Sequence, residues 1–256
     1  MENLRIIPRL DIKGPNVVKG VFTEGLRVVG QPEVLAEKYY LSGADEIMYM
    51  DIVASLYQRN LDFDLLKSVA EKIYIPLTVG GGIRSIGDIN NALRAGADKV
   101  AINTYAINHP EFINKAVREF GSQCIVLSVE AKRINDDSWE AYTDGGREKT
   151  GLNAIEWIKK AINNGVGEIF ITSIDNEGSK RGFDLELCRA VTAIAPIPVI
   201  VHGGAGEMSS VKEVLDIIHP DAIALASVFH YEDYSISDLK KYLTKEKYNV
   251  RFTNEH

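Results

Sequence analysis

Two segments of this chain repeat one another about 123 residues apart, and a repeat of that length restricts the available folds more than any other feature of the sequence. The first half reads Val79-Gly80-Gly81-Gly82 and later Asp98-Lys-Val-Ala-Ile-Asn-Thr104, whereas the second reads Val201-His202-Gly203-Gly204 and later Asp221-Ala-Ile-Ala-Leu-Ala-Ser227. Setting Gly81 on Gly204, Asp98 on Asp221 and Thr104 on Ser227 gives a spacing of 123 each time, and Glu46 on Glu168 gives 122. Short β-branched runs alternate with amphipathic stretches of about a dozen residues, the pattern of βα units around a parallel sheet. The expected strands are 5–11, 45–52, 75–80, 99–104, 125–131, 168–175, 198–202 and 222–227. The expected helices are 32–42, 62–74, 85–95, 110–120, 152–163, 184–194, 209–218 and 236–248. Eight such pairs define an α/β fold, a single (β/α)8 TIM barrel made of two similar half-barrels and spanning residues 1–256 as one domain. A doubly wound sheet is the weaker alternative.

Ser85 and Asp88 form a capping-box-like pair at a helix start. Two connections stand out for length, 14–30 after the first strand and 132–151 after the fifth, and long loops of this kind serve as lids or fold into small hairpins. In a barrel both rise from the carboxyl ends of strands, the face that carries active sites.

Composition narrows the function classes. Hydrophobic residues make up 45% and charged residues 25%, which is enough for a full core and excludes a disordered chain. The net charge of −7 leaves no broad electrostatic footprint for nucleic acid, so an anionic ligand must be held locally. No window approaches the roughly 20 apolar residues of a membrane span, and the first ten residues lack the pattern of a secretory leader. Cys124 and Cys188, each in an apolar stretch, suit a reducing cytoplasm better than a disulfide framework. Neither metal-ligand spacing nor a dinucleotide fingerprint is present, so no metal and no cofactor is expected.

A glycine-rich strand end lets backbone N–H groups approach an anion. The turns at Gly80–Gly82 and Gly203–Gly204, followed one unit later by Thr104 and Ser227, therefore predict two anion sites on opposite sides of one mouth. Tight βα turns alone are the plainer explanation of any single glycine run. Asp11 and Glu130 end the first and fifth strands and should face each other, where two carboxyls can divide acid and base roles if their pKa values are split. Pairing of either one with Lys132 or Arg133 is the structural alternative. Side-chain alternation sends Arg5, Ile7 and Arg9 the same way as Asp11. Glu46, Lys99 and Glu168, each at the beginning of its strand, should join Arg5 in a neutral ring that closes the barrel floor, since buried charges persist when paired. Trp139 and Tyr142 read as packing in a hairpin, and Lys240, Lys241, Lys245 and Lys247 as a solvated helix face.

At these residues the chain resembles the cyclase-subunit family of imidazole glycerol phosphate synthase, (β/α)8 enzymes of histidine biosynthesis. The matching segments are Leu10-Asp11-Ile-Lys13, Val17-Val-Lys-Gly20, Gly43-Ala-Asp-Glu46, Leu77-Thr-Val-Gly-Gly-Gly-Ile-Arg84, Ala95-Gly-Ala-Asp-Lys-Val-Ala-Ile-Asn103, Phe120-Gly-Ser-Gln-Cys124, Gly203-Gly-Ala-Gly206 and Ala226-Ser-Val-Phe-His230. The resemblance implies a glutaminase subunit docked on the amino-terminal face as a heterodimer, with ammonia entering through a gate formed by Arg5, Glu46, Lys99 and Glu168. It implies a bisphosphate formimino carboxamide ribonucleotide at the mouth, converted to imidazole glycerol phosphate and aminoimidazole carboxamide ribonucleotide. Asp11 then occupies a catalytic position with Lys19 on a mobile first loop. Gly82, Asn103 and Thr104 match one phosphate end, and Gly178, Gly204, Ala226 and Ser227 the other.

Four positions depart from the family pattern: Glu130 and Glu177 stand where Asp is usual, His202 replaces a Ser, and Arg9 replaces a small residue. All four lie on the ligand face or in the lumen, and Arg9 should lower the pKa of Asp11. These departures support an alternative, a cyclase-like paralogue relaying ammonia for sugar amidation in surface-polysaccharide biosynthesis. The sister isomerase of the pathway shares the repeat but lacks the gate residues, and a non-catalytic phosphate-binding barrel is the remaining reading.

Overall fold

Alternation along the first strand sets the interior of the molecule. Ile6, Leu10 and Ile12 point outward into the layer beneath the helices, while Ile7 points inward to a separate lumen cluster with Met48, Met50, Phe170 and Ile200. A strand buried on both faces belongs to a parallel sheet whose outer face is covered by helices. The computed structural model describes residues 3–22 and 24–252 and shows such a sheet.

In chain order the strands are β1 (Arg5–Lys13), β2 (Asn16–Val21), β3 (Glu24–Gly30), β4 (Ile47–Asp51), β5 (Leu77–Gly80), β6 (Lys99–Ile102), β7 (Ile125–Asn135), β8 (Ser138–Thr143), β9 (Glu148–Asn153), β10 (Glu168–Ser173), β11 (Val199–His202) and β12 (Ala222–Leu225). Eight of them, β1, β4, β5, β6, β7, β10, β11 and β12, pair in parallel in that order, and β12 closes the ring on β1. The expected (β/α)8 barrel is therefore present. No helix among the described residues is long and apolar enough to cross a membrane.

The two long connections are hairpins. β1 runs on past the barrel and pairs antiparallel with β2, which pairs with β3, and β7 does the same with β8 and β9. Trp139 and Tyr142 are buried in the second hairpin, as expected; the Trp139 indole donates to Asp184 and stacks under Arg133. Thr104 and Ser227 do not end strands. Each begins a short helix, Thr104–Asn108 or Ser227–His230, too short to show a helical period in the sequence.

The repeat also shifts slightly. Strands β5 and β11 superpose Gly82 on Gly204, a spacing of 122, with Gly81 and Gly203 both at φ +101. Strands β6 and β12 keep 123. One residue is therefore gained between the two segments in the second half, and Gly81 on Gly204 is the wrong equivalence.

Ser85 caps its helix by accepting from the Asp88 N–H, but the Asp88 carboxylate turns back to the Arg84 N–H, so the box is half made. The reciprocal box is at Ser235 and Asp238. It starts the last helix, Ile236–Lys245, whose Lys240 contradicts the solvated-face expectation: it is 2% exposed and donates to Asp45 and to the Arg251 carbonyl, both at 2.7 Å. Asp45 in turn accepts from the Ile6 N–H. Lys240 thus ties the last helix to the first strand. Breaking a buried pair leaves an uncompensated charge, so Lys240→Ala should lower stability by roughly 2–4 kcal/mol in denaturant unfolding, against less than about 0.5 for the neighbouring Lys241→Ala.

Candidate active site

The floor is a closed ring of four charges. Arg5 reaches Glu46 at 2.9 Å and Glu168 at 2.5 Å, and Lys99 reaches Glu168 at 2.7 Å and Glu46 at 3.2 Å. Each cation touches both anions, so the charges cancel locally while no ion is left without a partner. Thr78, which the sequence did not single out, also donates to Glu46. The four residues come together because each opens its strand, or immediately precedes it, with its side chain on the lumen side. Outside them lies a surface depression of about 720 Å³ lined by Leu4, Arg5, Lys99, Glu168, Pro198 and Tyr248.

Above the apolar lumen layer sits Arg9, buried. Its Nε donates to Asp11 at 2.7 Å, its Nη1 reaches Thr172, and its guanidinium lies 5.4 Å from the centre of the Phe170 ring. Thr172 was not among the expected site residues; its lumen-facing place in β10 is its one sequence signal. Asp11 also pairs with Lys19 at 3.2 Å. Burial alone would raise the Asp11 pKa, but the charges on Arg9 and Lys19 overcome it and hold the carboxyl below its ordinary range. Asp11 is thus an ionised carboxylate, as the Arg9 position led us to expect.

Glu130 behaves in the opposite sense. It is buried at the end of the barrel portion of β7, and burial, reinforced by the negative charge of Asp11, pushes its pKa up to about 7 against the partial relief of Arg9. Asn103 donates to its carboxylate at 3.1 Å and also to the Tyr142 carbonyl, and the Gly146 backbone N–H adds a further, partial stabilisation of its charged form. Neither Lys132 nor Arg133 pairs with Glu130; Arg133 is bound to Asp184 and Glu186. The two carboxyls therefore divide into one charged and one poised near neutrality, the condition for distinct acid and base roles.

The mouth has two unequal ends. Beside Glu130 a cavity of about 430 Å³ is lined by Ser55, Gly82, Asn103, Thr104 and Glu130. A Cβ at Gly81 would lie 2.1 Å from the Asp51 carbonyl, so glycine is required there by the packing of the turn as well as by its positive φ. Thr104 Oγ1 accepts from the Asp144 N–H, which brings the second hairpin to the rim of this cavity, a contact between distant segments that no local pattern signals. The Gly178, Gly204, Ala226 and Ser227 end encloses only about 10 Å³. Lys19, expected on a mobile loop, lies in β2, is buried, and pairs with both Asp11 and Glu177.

A parallel eight-stranded barrel with charge-paired lumen layers and carboxylates at its mouth defines a (β/α)8 enzyme scaffold. The family profile of histidine biosynthesis proteins matches residues 5–235, and the chain belongs to that family. It is 55% identical over 208 residues to the imidazole glycerol phosphate synthase subunit HisF of Legionella pneumophila, covering 81% of this chain and 98% of the relative. It is 45% identical over 247 residues to the subunit of the same name from Streptococcus mutans serotype c, covering 96% of this chain and 98% of that relative.

The raised pKa of Glu130 has a consequence for stability. Between its ordinary 4.5 and about 7 the folded protein holds a proton that the unfolded chain releases, so this group's contribution falls as pH rises through that window. At about 1.4 kcal/mol per unit the loss is roughly 2–3 kcal/mol. Denaturant unfolding at pH 5 and pH 8 should show Glu130→Gln gaining on the wild type by about that amount at the higher pH. Buried His202 and His230, whose pKa values are depressed by burial and nearby cations, work in the other direction in both proteins and cancel in the comparison.

Proposed function

We infer that this chain is the cyclase subunit of imidazole glycerol phosphate synthase in histidine biosynthesis. The observation that carries the reading is a single lumen with an ion-paired floor at one end and a split carboxyl pair at the other. A small neutral molecule such as ammonia can pass a ring whose charges already cancel, whereas an ion must be stripped of water to enter. The family relationship extends over nearly the whole chain and supports the same conclusion. The ring speaks against the sister isomerase, and the synthase name of both relatives leaves the sugar-amidation paralogue without support.

In this reading a glutaminase subunit docks over the depression around Arg5, Lys99 and Glu168 and releases ammonia beneath the ring. The substrate is the bisphosphate formimino carboxamide ribonucleotide, with Gly82, Asn103 and Thr104 receiving one phosphate and Gly178, Gly204, Ala226 and Ser227 the other. Ammonia condenses with the substrate carbonyl. Glu130, protonated over much of the neutral range, donates to the departing oxygen, and ionised Asp11 accepts a proton as the ring closes. Cleavage then releases imidazole glycerol phosphate and aminoimidazole carboxamide ribonucleotide. Arg9 keeps Asp11 charged, which favours a base role for it over an acid role.

Turnover of the bisphosphate nucleotide with ammonium salts in place of the partner tests the reading directly, and absence of product there would overturn it. Asp11→Asn and Glu130→Gln should each reduce that rate by about 10²–10⁴, the scale of positioned acid–base catalysis. The floor has its own signature. With a glutaminase partner present, Lys99→Ala should lower the ratio of glutamine-dependent to ammonium-dependent turnover several-fold, and an unchanged ratio would remove the ring from the ammonia path.

A further inference from the structure

The lumen and the mouth meet at Arg9. Met50 and Ala101 belong both to the apolar lumen cluster and to the lining of the cavity of about 430 Å³, so the cavity reaches down to the layer through which ammonia rises in the cyclase reading. Arg9 lines the same cavity although it is only 5% exposed, and its side chain crosses the bore from β1 to β10, three places away around the ring. Where the family has a small residue, this chain carries a permanent cation at the cavity floor.

That cation is held on three sides. Nε donates to Asp11 at 2.7 Å, Nη1 donates to Thr172 at 3.3 Å, and the Phe170 ring lies 5.4 Å from the guanidinium. A guanidinium has five N–H groups, and these two are the ones engaged among the described residues. The rest are left for a ligand, since a buried donor without an acceptor costs free energy. Glu130 lines the same cavity and feels Arg9 more strongly than any other charge. With its pKa pushed up to about 7, Glu130 is a second donor there. Two donors in one small cavity suit an oxygen that gains negative charge, and a group already fixed by three contacts needs no rearrangement to meet it.

We propose that Arg9 is a catalytic residue of this chain: its guanidinium donates to the substrate carbonyl oxygen at the carbon that ammonia attacks, and stabilises the negative charge that gathers on it. This role rests on the cyclase reading and adds to it a group that a small side chain at this position cannot supply. Ammonia leaving the lumen beside Met50 uses its lone pair to form the C–N bond while the C=O π pair moves onto the oxygen. Arg9 holds that oxygen and gives up no proton. Glu130 protonates it, and Asp11 takes a proton from the newly attached nitrogen, which leaves a neutral carbinolamine. Glu130 has then lost one proton and Asp11 has gained one, so the step balances.

Infrared difference spectra of the bisphosphate formimino carboxamide ribonucleotide, labelled with carbon-13 at that carbonyl and bound in ammonia-free buffer, read the contact without any turnover. In the wild type the labelled stretch should fall to lower wavenumber than in water, because a charged donor polarises the C=O bond more than water does. Arg9→Met should abolish the fall, and Asp11→Asn, which removes the base but not the donor, should keep it. In ammonium-dependent turnover Arg9→Met should lower kcat by about 10²–10³, the scale of losing one such donor. Should Arg9→Met fail to fold, Arg9→Lys keeps a cation beside Asp11 but lacks the fork that reaches Thr172 and the cavity together, and it should lose most of the shift and most of kcat. A labelled carbonyl that does not shift in the wild type, or a shift that survives in the Arg9 variants, would overturn the proposal, while turnover by the wild type would still uphold the cyclase reading. An Arg9-dependent shift without ammonium-dependent turnover would overturn the cyclase reading and leave the carbonyl contact standing.

Discussion

Charge buried inside a closed barrel must be cancelled within a few ångströms, and that requirement organises this molecule from floor to mouth. A parallel strand that starts on a lumen-facing charge delivers another lumen position every second residue. β1 delivers Arg5, Ile7, Arg9 and Asp11 in succession, and its neighbours must answer each of them. They do so in layers: Glu46, Lys99 and Glu168 around Arg5, an apolar layer around Ile7, then Thr172, Asp11 and Lys19 around Arg9. The apolar layer separates two charged ones. It insulates the floor ring from the mouth, so each can be neutral by itself.

The same arithmetic explains the unequal carboxyls. Asp11 has two cations in contact and stays ionised, whereas at Glu130 the charges of Arg9 and Arg147, the Gly146 N–H and the Asn103 amide offset its burial only in part. Arg9 therefore does more than fill space. It spends its charge mainly on Asp11, and the part that Glu130 does not receive leaves that residue able to hold a proton near neutral pH.

Much of this was legible in the chain. Alternation along 5–11 placed Arg5 and Arg9 in the lumen, strand starts placed Glu46, Lys99 and Glu168 beside Arg5, and the glycine repeat located the two glycine turns at the mouth. The hairpins were less legible: residues 16–21, Asn-Val-Val-Lys-Gly-Val, show no clean two-residue alternation, because Lys19 is buried by ion pairs and Val21 is exposed at the tip. Lys240 failed for a related reason. A lysine on an amphipathic helix reads as solvated unless its partner is known, and Asp45 is far away in sequence.

The sequence by itself determined the eightfold alternation of strand and helix and the identity of the charges that line the lumen, because these depend on local periods of two and three-to-four residues, and it showed the half-barrel repeat, because that needs only the comparison of one half of the chain with the other. Tertiary structure decided which charge meets which, that the repeat is offset by 122 rather than 123 at the second glycine turn, and that one end of the mouth is open while the other encloses almost no space. Those outcomes rest on contacts such as Phe22 with Glu177 and Glu177 with His202, made between segments that only barrel closure brings within hydrogen-bonding or ion-pairing distance.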